Sequence, residues 1–429
     1  VKSRNIYRMR HLVPFRVYES KTTSGLTPEQ EAFLDRCTLY TGTWSIDPTT
    51  GLVDIQGSFY LIGYSRDKSF LGVRFRSVTR SFSCVGMKFK SLEGVPQEVG
   101  EDFSCADNYL RSLKGIPREV GGSFDCANNY LRSLEGAPRE VFGNFNCSDN
   151  KIQSLAGAPQ KVFGNFDCSA NQLRSLEGAP QKVDGNFLCF ENDLKSLEGS
   201  PRKVGGHFSC RNSKLKSLAG APQEVNGNFG CSGNDLRSLA GSPQKVFGDF
   251  DCSYNKLQSL AGAPQKVDRN FICVENDLKS LEGSPRKVGN YFDCRQNKLK
   301  SLAGAPREVG WDFNCSENQL QSLEGAPKQI NGKFKCDEFQ LEVGEWNIQG
   351  WQKVLENGSG EAKKLILTLP IFNTTYWNSK ISQNPESTII ELSEFWDNMP
   401  AKVKNSIQIP SHLRDDLDNL VELVRSGIM

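Results

Sequence analysis

A cysteine returns every 21 residues, thirteen times without a gap, from Cys84 and Cys105 through Cys168, Cys189 and Cys252 to Cys336. That interval constrains the chain more than any other feature. A cysteine content this high would ordinarily suggest a disulfide framework or a zinc site. Here no two cysteines of the series stand at the short paired spacing a zinc site needs. Side chains stacked in parallel also have poor dihedral geometry for a disulfide bond. The cysteines therefore count repeats. Free and buried, such thiols behave as small hydrophobes, which favours a reducing compartment.

With each cysteine as position zero, Phe stands at minus two in every copy and Asn at plus three in ten of them. Leu or Ile follows at plus five, Ser-Leu at plus seven and eight, Gly at plus ten, Pro at plus twelve and Val or Ile at plus fifteen. Residues 166–186, FDCSANQLRSLEGAPQKVDGN, show the pattern. Phe-x-Cys alternates with polar neighbours, as a half-buried strand does. Recurrent Gly and Pro, as at Gly178 and Pro180, leave no room for a helix of useful length. The return path should be extended, with polyproline-like character through Gly-Ala-Pro. One such coil cannot bury its own apolar residues, but a stack of them can. Cys168, Asn171, Cys189, Asn192, Cys252 and Asn255 belong to the resulting columns. Each Asn amide can donate to and accept from backbone groups that the turn out of the strand leaves unpaired. The rule fails at Met87, Ser213 and Phe339.

F-x-C-x-x-N-x-L followed by S-L-x-G-x-P-x-x-V resembles the leucine-rich repeat, in its short bacterial-type form. Phe and Cys stand in two strand Leu positions, and Asn stands in the Asn position. The wording Ser175-Leu176-Glu177-Gly178-Ala179-Pro180 is similar to uncharacterised repeat proteins of tailed bacteriophages and bacteria. The resemblance covers about 82–341. It implies a β-rich, right-handed, curved solenoid with parallel strands on the concave face, an extended convex side and recognition as the usual activity. It names no ligand.

Residues 1–56 are expected to form an N-terminal arm and cap, with 1–20 a flexible or docking arm, a helix from Pro28 to about Cys37, and a hairpin around Trp44-Ser45-Ile46. The solenoid should occupy 57–343, including one degenerate coil at Gly57-Ser58-Phe59-Tyr60-Leu61. Residues 344–429 should form a small α-helical domain that caps the last coil or docks elsewhere; helical patterning lies at 349–356, 386–397 and 411–426. Above the coil period, residues 181–222 match 265–306 at 34 of 42 positions.

Three histidines, His11, His207 and His412, are scattered, so neither a His-based triad nor a His-rich metal site is supported. No catalytic residue, metal site or cofactor is expected, nor a small-molecule substrate. Net charge of +2 gives no whole-chain case for nucleic acid, and no apolar run reaches the length of a membrane span. Without a secretion signal the chain is read as cytoplasmic, with virion association open.

Positions minus one and plus one are expected to face outward on the concave side. Most are small or polar, such as Asp167 and Asp251. Leu188 with Phe190 and Ile272 with Val274 are not, and Arg211 and Arg295 follow on the next coils. These eight are the candidate partner-binding residues. A basic row at plus six, including Arg111, Arg132, Arg174 and Lys195, could follow a polyanion such as an acidic glycan or nucleic acid, but glutamates three residues later offer local neutralisation and a solvated face with surface pairing is the better reading. The partner is then a protein or another copy of the chain. A glycan on a host surface and a purely structural array remain the alternatives.

Overall fold

A computed structural model describes residues 25–38, 41–61, 70–399 and 401–426. The arm at 1–20 lies outside the described residues. Each coil contributes two strands of two residues, and each set runs in parallel along the stack. The first set pairs Phe166 with Phe187 and Asp167 with Leu188. The second pairs Lys161 with Lys182 and Val162 with Val183. Fifteen strands make up each sheet, named below the Phe ladder and the Val ladder. The fold is a parallel-strand solenoid.

The return path carries more order than its Gly-Pro spacing implies. Its Val ladder is a second sheet, possible because every coil repeats one outward polar residue and one inward Val in register. The Gly-Ala-Pro segment opens as a β-turn rather than a polyproline run, with Ala179 N–H donating to Leu176 O at 3.0 Å. Gly178 sits at φ +87°, and a Cβ there would lie 2.8 Å from the Leu155 carbonyl of the coil before. Conformation and close approach both demand glycine.

Inside, phenylalanine rings stack from Phe59 to Phe334 at 5.2 to 5.8 Å between centroids. Phe166, Cys168, Leu173, Leu176 and Val183 are all buried in one coil, and a fully buried Phe or Leu contributes about 1.5–3 kcal/mol. Ten of the thirteen repeat thiols donate to a carbonyl of the next coil, as Cys168 Sγ does to Leu188 O at 3.4 Å, and Cys336 Sγ donates to Phe339 O instead.

Asn171 shows how the turn is held. Its Nδ2 donates to Cys147 O at 3.0 Å, Cys168 O at 3.2 Å and Ser169 O at 3.0 Å. Its Oδ1 accepts from Ile152 N–H at 2.9 Å. One amide thus ties two coils together, and Asn192 and Asn255 repeat the pattern.

A second polar ladder runs at minus three. Asn165 N–H donates to Asn144 Oδ1, Asn186 N–H to Asn165 Oδ1 and His207 N–H to Asn186 Oδ1, at 2.7 to 2.8 Å. His207 continues it, its Nδ1 accepting from Asn228 N–H at 2.8 Å. The residue at plus two is left-handed in coil after coil, including Ala170 at φ 50° and Glu275 at φ 54°.

The stack is closed at both ends. Helix Pro28–Thr38 has a capping box, Thr27 N–H donating to Gln30 Oε1 and Gln30 N–H to Thr27 Oγ1. Strands Gly42–Ile46 and Val53–Gly57 form an antiparallel hairpin at the start of the Val ladder. Phe59–Tyr60 begins the Phe ladder, in parallel with Phe82–Ser83. At the far end Gln340–Leu341 folds back antiparallel on Phe334–Lys335. Trp346 stacks on Phe334 at 4.2 Å and donates from Nε1 to Pro327 O at 2.9 Å. Helices Ile348–Asn357, Gly360–Ile366, Thr374–Gln383, Pro385–Phe395 and Arg414–Arg425 follow. Where helical patterning was expected to begin at 411, Ser411 opens a short 3-10 turn, Ser411–Leu413, and the helix starts at Arg414.

Candidate interaction surfaces

The Phe ladder turns its minus-one residues outward. At this position Asp and Asn serve their own turn first. Asp167 Oδ1 accepts from Ser169 N–H at 2.9 Å and Ser169 Oγ at 2.6 Å, and Asp251 accepts from Ser253 N–H at 3.1 Å. Burial pushes the Asp167 carboxyl above its ordinary range, with Ser169 opposing. Asp293 is raised by burial too, against the Arg295 backbone and guanidinium. These local bonds account for the acidic row without a ligand.

The plus-one position is less accessible than strand alternation implies. The strand ends before the cysteine, and plus one already lies in the turn, where its carbonyl accepts from the ladder Asn. Val274 is 6% exposed, so it is withdrawn from the accessible face. Leu188, Phe190 and Ile272 are half-buried. Arg211 crosses Gly230 and reaches Asp251 two coils on, at 3.5 Å, whereas Arg295 turns back to Asp293 at 3.2 Å. The structure does not gather the eight candidates into one pocket.

The Val ladder has the deeper relief. A trough of about 1240 Å³ crosses its outer face, lined by Thr79, Gly100, Gly121, Arg118, Glu119 and Phe142 among others. A second of about 830 Å³ and a third of about 380 Å³ lie further along the same side. Salt bridges join neighbouring coils between them, Lys161 to Glu140 at 2.8 Å and Lys203 to Glu224 at 2.6 Å; hydrogen bonding from Lys203 holds the Glu224 carboxyl below its usual range.

Phe142 borders the trough of about 1240 Å³ and is 62% exposed, with Phe163 38% exposed beside it. The rings stack at 5.3 Å and 3°, and Lys182 Nζ sits 5.0 Å from the Phe163 centroid. Sequence reasoning passed over this pair. The signal was present: plus sixteen is Gly, Asp or Asn in most coils and Phe in three, Phe142 and Phe163 on consecutive coils and Phe247 alone.

The basic row also differs from expectation. Among the described residues, none of its cations is within 4.0 Å of a carboxylate. The β-turn opening at plus eight takes Glu177 out of the straight run that holds Arg174. By contrast, the row at plus four pairs across coils, Lys214 with Asp193 and Lys256 with Asp235.

The buried thiols are poor nucleophiles. Desolvation raises the Cys84 thiol to about 12 and the others of the column in the same direction. Among the described residues no group of three or more His, Cys, Asp or Glu side chains is arranged to hold a metal ion. No helix among them is long and apolar enough to cross a membrane.

No family model and no curated protein matches this chain. Among solved structures, YopM from Yersinia enterocolitica WA-314 aligns at 18% identity and a TM-score of 0.42, over 62% of this chain and 60% of YopM. YopM from Yersinia pestis, a leucine-rich effector protein, aligns at 17% and 0.42, over 62% and 76%. The APL1 leucine-rich repeat domain aligns at 13% and 0.36, over 61% and 87%. The chain thus spans less than two thirds of the first of these. Scores of this size carry no functional argument, and the similarity to phage proteins has no counterpart here. The coil itself, with its Phe-x-Cys strand, asparagine ladder and Leu-x-Gly turn, has the fold of a leucine-rich-repeat solenoid.

Proposed function

We propose that this protein is a non-enzymatic binding scaffold that docks a protein partner on the outer face of its Val ladder, with Phe142 and Phe163 as anchors. The exposed stacked pair carries the reading. Two stacked phenylalanines that fill no core, one of them bordering the trough of about 1240 Å³, are the kind of aromatic anchor that dominates interfaces. The salt-bridged Lys and Glu residues around them form a polar rim that sets orientation more than affinity. The surface at Leu188, Phe190 and Ile272 is the weaker candidate, because its neighbouring charges are engaged within the solenoid. A non-enzymatic role is supported by raised thiols and by a His207 occupied in a structural ladder.

The test is capture of host proteins by the intact chain and by Phe142→Asp/Phe163→Asp, with melting profiles showing that both fold. Species retained by the parent should be lost from the variant. An unchanged set of captured proteins would overturn this docking face. Self-association is the second arm: sedimentation over a concentration series should show a mass independent of concentration if the anchors serve a different protein.

A further inference from the structure

We infer that the row at plus six is a separate binding line for a linear acidic polysaccharide, on a different part of the coil from Phe142 and Phe163. The row holds a cation in nine coils between Lys90 and Lys300, and Gln at 153, 258 and 321. All nine cations are exposed. Backbone hydrogen bonds join the row at three places, Lys195 N–H to Arg174 O at 3.3 Å, Lys279 N–H to Gln258 O at 3.4 Å and Gln321 N–H to Lys300 O at 2.8 Å. The side chains therefore start from a regular column, about 4.8 Å apart. Ten coil intervals separate Lys90 from Lys300, a line about 48 Å long.

Charge of one sign in single file is unfavourable to the protein alone, because stacked like charges repel. At plus four opposite charges alternate and pair between coils, as Lys214 does with Asp193, and at plus fourteen stretches of like charge are interrupted by the opposite sign, as where Lys203 meets Glu224. At plus six, among the described residues, no cation is within 4.0 Å of a carboxylate, although Lys216 and Arg237 add to the lowering of the Asp235 carboxyl that Lys256 leads; up to Gln321 the substitutes in the row are neutral glutamines that can still donate hydrogen bonds. An extended polysaccharide with carboxylate or sulfate groups complements this pattern. One sugar residue is about as long as one coil is thick, so anions can meet successive cations while hydroxyls meet the glutamines. The shape argues against nucleic acid. A duplex needs cations spread across a groove, and a single strand needs stacking platforms along its path. Exposed aromatics beside this row are confined to Tyr109 and Tyr130.

The experiment titrates the full chain with heparin fragments of increasing length, with polyuridylate, and with equimolar phosphatidylserine–phosphatidylcholine vesicles, each over a range of salt. Arg111→Gln/Arg132→Gln/Arg174→Gln places in three coils the residue that three other coils already carry, so folding should be kept. Arg118→Gln/Arg139→Gln/Arg202→Gln removes equal charge from another row. Affinity for heparin should rise with fragment length and fall at least tenfold in the first variant but under threefold in the second. The slope of log affinity against log salt should become shallower by about two in the first variant. Equal losses in both variants, affinity independent of length, or tighter binding to polyuridylate or vesicles would each overturn the assignment. Because Phe142 and Phe163 are intact throughout, failure here leaves the protein-docking reading untouched, and the reverse also holds.

Discussion

The duplicated segments 181–222 and 265–306 share most of their residues, yet each breaks a different ladder. The first keeps the minus-three ladder through His207 and loses the plus-three ladder at Ser213. The second keeps plus three through Asn297 and interrupts minus three at Tyr291, whose ring offers no acceptor; the ladder resumes where Lys333 N–H donates to Asp312. At Ser213 the hydroxyl recovers part of the amide's work, donating to Arg211 O at 3.0 Å and Cys189 O at 3.3 Å. The backbone yields as well: Lys214 goes left-handed at φ 59°. Lys88, which follows the equally exceptional Met87, does the same at φ 58°. In these two coils the loss of the asparagine goes with a left-handed residue after it, whereas after Phe339, where the chain folds back, Gln340 stays extended. One ladder can be broken in a coil while the other holds it in register.

That comparison can be broken most severely by removing a ladder amide. Asn171→Ala leaves the Ile152 N–H and several carbonyls without partners in a buried site, and should cost about 3 kcal/mol in chemical denaturation. Asn297→Ser, which copies the first segment into the second, should cost only about 1 kcal/mol. An equal loss in the two variants would mean the hydroxyl substitutes for nothing. In the opposite direction, Ser213→Asn should stabilise by about 1 kcal/mol and return Lys214 to negative φ, which coupling constants at that residue would report. Tyr291→Asn should restore the minus-three acceptor and add about 0.5 kcal/mol, visible as slower amide exchange around 312.

The smallest effect concerns charge. Burial raises the Asp167 carboxyl, with Ser169 opposing, and burial also raises Asp125, against the Ala127 amide and aided by Asp107 and Asp167. An acid whose folded value lies above its unfolded one costs stability once ionised. Asp125→Asn/Asp167→Asn, with the residue already present at Asn146 and Asn314, should therefore raise the melting temperature at neutral pH. The gain should fade on acidification toward the unfolded value of 3.8. A gain that persisted in acid would point to turn propensity instead.

Most of the coil was legible because its requirements recur. Phe166, Cys168, Leu173, Leu176 and Val183 must meet their counterparts in the next coil, and one interval repeated thirteen times can satisfy that in few ways. The role of Asn171 followed from what a buried amide can do beside a turn. The surfaces were harder to read. Alternation around Cys189 and Cys273 made Phe190 and Val274 look equally exposed, but the strand stops before the cysteine and the turn tucks plus one inward. Phe142 and Phe163 were visible as letters, although nothing in a single coil says that plus sixteen opens onto a trough.

By itself, then, the sequence determined the coil and its interior columns, since periodic burial and hydrogen-bond satisfaction are demands each repeat states for itself. Only the tertiary structure decided which outward rows find opposite charges on adjacent coils, which are left unpaired, and where the rings of Phe142 and Phe163 stack in the open. Those outcomes depend on distances between coils and on the direction in which each turn sends its side chains, and neither is written in any one repeat.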